Sequence, residues 1–307
     1  RWLYARQNPV NNLLFGFNAA GQVRRQVILI LWNSYRFFVN AAAADSWQPP
    51  THLPELTHPL DRWIMSRWHS TLKLATQSLD QYDAFHAVAA LESFIQDLSL
   101  WYIRLSRNRK HQAYAVMYRL FCDLSLVISP IMPFLSDRMY TNLTGQTSVH
   151  LSAWPVLNPG LIDLKLETDM IITRDIVEKI HAARKAATLK VRQPLAQVTI
   201  DGLKHPLSSQ LQQLILQETN IKLITFTTQS QDLSVTLDTT ITPQLKLEGQ
   251  ARDLIRQIQQ ARKDAGTDLK QQITVELPDW PVEFESEIKT QALVSKLIKG
   301  PKLMLRR

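Results

Sequence analysis

A single cysteine, Cys122, stands in the 307 residues. One thiol excludes a disulfide framework and a cysteine-based zinc site, and it fits a reducing compartment. Glycine is scarce too, with eight scattered residues, and neither a G-x-G-x-x-G turn nor a G-x-S-x-G elbow occurs. Gly16 and Gly21 have phosphate-loop spacing, but Gln22-Val23 replaces the Lys-Ser/Thr that must follow. Without that lysine the phosphate charge has no partner. Long apolar runs are missing: residues 27–32 fall far short of the roughly 20 that cross a bilayer, so no membrane partner is expected. Arg1 opens the chain with neither a signal-peptide pattern nor a methionine, as expected of a fragment or a processed chain. The histidines stand alone rather than at metal-ligand spacing. His69 and His86 read as helical surface or core-edge residues, with catalysis the minor alternative because functional histidines need close charged partners.

What is abundant is positive charge. Lys and Arg number 35 against 27 acids, a formal charge of +8, which favours polyanionic partners. The 45% hydrophobic and 20% charged content suits a soluble globular chain, long enough for two domains.

The first half reads as helices. Val23, Val27, Leu31, Tyr35 and Phe38 recur at helical spacing over 19–44. Further helices are predicted over 59–81, opened by Pro59; 83–107, capped by Asp83; 110–128, ended by Ser129-Pro130; and 133–144, stopping before Gly145. After Trp154-Pro155 the texture changes. Helices are expected over 166–188, 207–219, 249–265 and 282–298, and strands over 196–201, 221–227, 233–237 and 273–277. No internal repeat is evident. The fold class is mainly α: a helix bundle over 1–154, then a smaller α+β domain over 155–307.

Between residues 98 and 121 lie Arg104, Arg107, Arg109, Lys110 and Arg119 without one acid, interleaved with Trp101, Tyr102, Tyr114 and Tyr118. Leu91, Ile95, Leu98, Tyr102 and Leu105 share the core face of their helix. Asp97, Trp101, Arg104 and Asn108 lie together on a neighbouring face. A tryptophan beside arginines suits RNA, guanidinium for phosphate and ring for an unstacked base. The alternative is a Trp101 packed against another helix beside solvated arginines, since helix ends favour cations. Arg184, Lys185, Lys190 and Arg192 form a second basic cluster, open to the same alternative. A third is the tail, Lys289, Lys296, Lys299, Lys302, Arg306 and Arg307, which could simply fray.

Several segments resemble isoleucyl-tRNA synthetases, in order along the chain. Pro9-Val10-Asn11-Asn12-Leu13-Leu14-Phe15-Gly16 and Leu31-Trp32-Asn33-Ser34-Tyr35-Arg36-Phe37-Phe38 are similar to the stretch after that family's catalytic domain. Leu60-Asp61-Arg62-Trp63-Ile64-Met65-Ser66-Arg67 looks like the start of its anticodon-binding bundle. Asp97-Leu98-Ser99-Leu100-Trp101-Tyr102-Ile103-Arg104 looks like the central motif, and Ser129-Pro130-Ile131-Met132-Pro133-Phe134 the closing one. Lys190-Val191-Arg192-Gln193-Pro194-Leu195 and Glu248-Gly249-Gln250-Ala251-Arg252-Asp253 resemble the region beyond, in its eukaryote-like branch. The sequence departs from the pattern at Leu100, Leu105 and Asn108, where arginine or asparagine is usual, at Thr188, where glycine is common, and at Thr267. Fewer arginines should remove phosphate contacts and flatten the salt dependence of binding.

The resemblance implies an anticodon-binding bundle that holds isoleucine tRNA, with Arg62, Arg67, Trp101, Arg104, Arg107, Lys190 and Arg192 as RNA contacts. For Arg62 and Arg67 the alternative is a helix-packing salt bridge with Asp61 or Asp97. The family's His-x-Gly-His and Lys-Met-Ser-Lys-Ser signatures do not occur, so neither catalysis nor editing is expected of this chain. It is expected to need no cofactor, ATP and Mg belonging to the intact family enzyme. The expected partners are tRNA and the enzyme's catalytic domain, and the expected state is a cytoplasmic monomer. A non-catalytic protein-interaction module derived from a synthetase is the second reading.

Overall fold

The computed structural model describes residues 1–13, 15–268 and 271–306. Leu14 of the first motif and Arg307 of the basic tail lie outside the described residues. The chain divides into two compact units, Arg1–Met170 and Ile171–Arg307.

The first unit is helical. After a short turn of helix, α1 (Trp2–Ala5), α2 (Phe17–Val23) passes through a wide π turn (Arg24–Ile28) into α3 (Leu29–Ala44). The helix Phe17–Ala44 is long and apolar enough to cross a membrane by length and composition, a reach the short apolar runs do not suggest. One face is buried through Val23, Val27, Leu31, Tyr35 and Phe38, while Arg24, Arg25 and Arg36 are exposed. Then follow α4 (Pro59–Asp80), α5 (Ala84–Gln96) with a second π turn (Asp97–Ile103), α6 (Lys110–Ile128) and α7 (Pro133–Thr144). Local chemistry sets the ends. Asp83 accepts the His86 N–H at 3.1 Å, a cap contributing about 1 kcal/mol, and Gly145 ends α7 at φ 70°, where a side chain would be strained. Trp63, Trp68, Leu91, Phe94, Leu98, Tyr102, Tyr114 and Phe121 fill the centre. Cys122 is buried on α6.

This unit runs past Trp154-Pro155, where the composition changes, because the following residues are tied to α4. The Asn158 N–H donates to His69 Nδ1 (3.2 Å) and the Asp163 N–H to Ser66 Oγ (2.8 Å). Glu167, in the first turn of α8 (Leu164–Ala186), accepts from Ser66 (2.5 Å) and Ser70 (2.7 Å).

The second unit contains a repeat that the sequence reading did not find. From Ile171 it runs the rest of α8, β1 (Leu195–Asp201), α9 (Ser209–Thr219), β2 (Ile221–Thr227) and β3 (Ser234–Leu237). It then runs α10 (Pro243–Asp264), β4 (Ile273–Leu277), α11 (Glu285–Ala292), β5 (Val294–Lys299) and β6 (Met304–Arg306). The sheets have orders β2-β1-β3 and β5-β4-β6. In each, the first strand pairs parallel with the second, across a helical crossover, and antiparallel with the third. One interval separates Arg174-Asp175 from Arg252-Asp253, Ile180 from Ile258, Ala183-Arg184-Lys185 from Ala261-Arg262-Lys263, and Ala187 from Ala265. It also separates Thr188 (φ 55°) from Gly266 (φ 61°), the left-handed residues after each long helix.

Two expected elements are corrected. The helix expected over 282–298 is a 3-10 turn and the short α11, halted by Leu293 at φ 54°, after which the chain pairs with β4 as β5. The tail, instead of fraying, closes the sheet as β6, where Arg306 pairs with Glu276. Helix α10 also starts earlier than residue 249, because Thr242 caps it and Pro243 occupies its first turn.

Candidate nucleic-acid interface

The basic stretch of the bundle divides by direction. Arg109 turns inward and grips Asp61 with both terminal nitrogens (2.8 and 2.6 Å), and the Tyr102 hydroxyl donates to the same carboxylate at 2.5 Å. Burial opposes charge on Arg109, but Asp61 outweighs it and raises the guanidinium pKa. Burial, then Asp61, pushes the Tyr102 hydroxyl far above its ordinary range. Sequence reasoning missed Asp61 as the anchor of the turn at 106–109.

That anchored turn presents Arg107 outward. Its guanidinium lies over the Phe37 ring of α3, 6.0 Å from the centroid, and among the described residues no carboxylate lies within ion-pair distance of it. One turn earlier, Arg104 is exposed, stacks over Trp101 at 5.3 Å and donates from Nε to the Leu100 carbonyl at 2.7 Å. Trp101 is half-buried and Leu100 exposed. The π turn carries Trp101; such turns widen the helix by one residue and re-aim the side chains on it. An exposed cation–π stack contributes about 0.5–1 kcal/mol, less than the roughly 1.5–3 kcal/mol of a hydrogen bond to a charged group. The Arg107 guanidinium can therefore exchange its ring for phosphate at little cost.

Arg62 and Arg67 are placed differently. Arg67 Nε donates to Asp97 at 3.0 Å and Nη1 to Glu167 at 3.3 Å, with its side chain 22% exposed. Here the helix-packing salt bridge is the arrangement present, and Asp97 therefore faces α4 rather than solvent. Arg62 is half-exposed and pairs with Asp163 at 3.0 Å.

In the second unit the cluster of Arg184, Lys185, Lys190 and Arg192 also splits. Arg184 is fully buried and donates to the carbonyls of Lys190, Gln193, Thr219 and Asn220 at 2.7–3.3 Å. Burial lowers its pKa to about 10. It is a fold-holding residue, not a surface cation. Lys190 and Arg192 stay near the surface and share Asp253, at 3.7 and 2.9 Å. Beside them opens a cleft of about 450 Å³ lined by Arg192, Asn220, Arg252, Arg256, Gln259 and Glu287, among others. Arg252, Arg256 and Gln259 were not expected as site residues, although their spacing puts them on one face of α10. Among the described residues, no group of three or more His, Cys, Asp or Glu could hold a metal ion.

Residues 61–200 match the family model of the anticodon-binding domain of tRNA ligases, and Trp101, Arg104 and Arg107 lie within that stretch. The relatives are more particular. The chain is 33% identical to an isoleucine–tRNA ligase of Dehalococcoides mccartyi, with 98% of this chain and 33% of that protein covered. It is 30% identical to the Deinococcus radiodurans isoleucine–tRNA ligase, covering 90% and 34%, and 33% identical to that of Porphyromonas gingivalis, covering 76% and 22%. The chain spans about a third of the length of the first of these relatives. Together the domain match and the relatives support a tRNA-binding part of an isoleucine–tRNA ligase.

Proposed function

We propose that this chain grips the anticodon arm of isoleucine tRNA for an isoleucine–tRNA ligase. Attachment of isoleucine with ATP and Mg is proposed of the whole enzyme, with this third supplying tRNA contact. The observation that carries the reading is the outward Trp101–Arg104–Arg107 surface inside the segment that matches an anticodon-binding domain. Guanidinium groups at 104 and 107 hold backbone phosphates, and the Trp101 ring offers a stacking face. Arg62, Lys190 and Arg192, each sharing a carboxylate at the surface, add weaker phosphate contacts. Arg67 contributes by fixing α4 against the Asp97 turn rather than by touching RNA.

The finer assignment to a eukaryote-like branch rests on the 190–195 and 248–253 segments, and tree placement of those segments tests it. A monomeric state and a cytoplasmic location complete the proposal, the latter supported by the single buried thiol.

The deciding experiment measures binding of isoleucine, valine and phenylalanine tRNAs across a salt series. Preference for isoleucine tRNA is expected. Weak binding, equal for all three and abolished by salt, would leave only a basic surface and favour the protein-interaction reading.

A further inference from the structure

The cleft in the second unit lies at the seam between the two copies of the repeat. Arg192 and Asn220 come from the first copy, and Arg252, Arg256, Gln259, Glu287 and Gln291 from the second. The seam is tightly joined. Gln193 donates to the Leu245 carbonyl at 2.8 Å, and a Cβ at Gly249 would stand 2.5 Å from Gln193 Oε1. Lys222 bonds Glu248 at 2.8 Å, and Arg252 bonds both Glu248 and Asn220.

The pairings aim the guanidinium groups. Asp253 fixes Arg192 and Glu248 fixes Arg252. Arg256 is exposed and, among the described residues, has no carboxylate within ion-pair distance. At this position the two copies carry opposite charge. The core and fold-holding residues repeat, as do Arg174-Asp175 and Arg252-Asp253, but the counterpart of Arg256 is Glu178. The charge is thus opposite where the helix of the second copy borders the cleft with a cation that, among the described residues, has no ion-pair partner.

We infer that this seam cleft binds the phosphodiester backbone of RNA, with Arg256 as its principal phosphate contact and Arg192 and Arg252 as flanking ones. The inference rests on the tRNA-binding reading above and extends it to a contact built by the duplication. The side-chain amides of Asn220 and Gln259 supply donors to phosphate or ribose oxygens. Glu287, the carboxylate on the cleft wall, accepts from Gln291 at 2.8 Å.

The test compares Arg256→Glu, which installs the residue of the first copy, with Lys263→Glu, an equal charge change on an exposed side chain of the same helix. Isoleucine tRNA binding is measured across a salt series, with Arg104→Ala/Arg107→Ala in parallel. Arg256→Glu should weaken binding about tenfold and reduce the salt slope by about one. Lys263→Glu should stay within about twofold of the parent, and inorganic phosphate at millimolar concentration should not compete. Equal losses for both glutamate variants would reduce the effect to bulk charge and overturn the inference. An unchanged Arg256→Glu beside a weakened Arg104→Ala/Arg107→Ala would also overturn it, leaving the proposed function standing. A parent chain that binds no tRNA at low salt would remove both.

Discussion

Arg184 and Arg262 occupy the same place in two copies of one module. Each guanidinium donates to the carbonyl six residues further on, Lys190 at 3.2 Å and Asp268 at 3.0 Å. Each also reaches the carbonyl of the left-handed residue that ends the next short helix, Asn220 at 3.3 Å and Leu293 at 3.4 Å. Arg184 adds the Thr219 and Gln193 carbonyls. Both are thus staples between a long helix and the start of a parallel strand.

Replacing either with methionine orphans buried carbonyls, at roughly 1–3 kcal/mol for each unsatisfied group. Arg184→Met should therefore lower the stability of the second unit by several kcal/mol, and more than Arg262→Met does. Denaturant titration of the two variants checks this, and equal small losses would refute the staple role.

Thr188 adopts φ 55° where its counterpart is Gly266 at φ 61°. A side chain in this region costs about 1–2 kcal/mol, offset in part by the entropy a glycine loses on folding. Thr188→Gly should raise stability by up to about 1 kcal/mol, and Gly266→Thr should lower it by a similar amount. Thermal melts of both variants give the comparison.

The arginines of the bundle should separate into two behaviours. Arg104→Ala with Arg107→Ala should flatten the salt slope of tRNA binding by about two while the melting temperature stays nearly unchanged. Trp101→Ala should cost roughly 1–3 kcal/mol of binding if a base stacks there. Arg67→Ala should do the reverse, leaving the slope intact but destabilising the fold by roughly 3 kcal/mol, because Asp97 and Glu167 lose their common partner. Parallel salt titrations and melts distinguish the groups.

The first unit should lose stability in mild acid. Burial, then a nearby arginine, lowers the pKa of both His58 and His69 below the ordinary 6.5. Each ring accepts a backbone N–H at Nδ1, from Leu60 and from Asn158, both at 3.2 Å. A depressed histidine pKa contributes stability that is complete above pH 6.5 and is lost as pH falls through the lowered folded value. Melting temperature should drop over that range, and less so in His69→Gln, which keeps an acceptor.

The sequence was most legible where punctuation is chemical. Pro59, Asp83, Pro133 and Gly145 mark helix ends that the structure places at or beside the expected positions. It was least legible where tertiary pairing decides. Val294, Leu297 and Ile298 have the spacing of a helical face, yet Val294 and Leu297 are buried on a strand because β4 offers a pairing edge. The repeat escaped notice because its identities are few and concentrate in one helix of each copy. In the basic surfaces, local charge density gave the neighbourhood but not the direction. Arg184, Arg109 and Arg107 look alike in the chain, and it is the carbonyls of Lys190, Gln193, Thr219 and Asn220 and the carboxylate of Asp61 that turn the first two inward. The Arg67–Asp97 bridge was foreseeable as an alternative, but the part of Glu167 was not, since that residue lies a hundred positions away.

The lone thiol has a practical consequence. Cys122 is buried, and that burial pushes its pKa up to about 12, so almost none of it is thiolate at neutral pH and it reacts slowly with alkylating reagents. A cysteine introduced on the surface would then be the one site labelled, without removal of Cys122. A fluorophore attached through Gln259→Cys would sit on the wall of the seam cleft and report, by its own change in emission, whether a nucleic acid enters there.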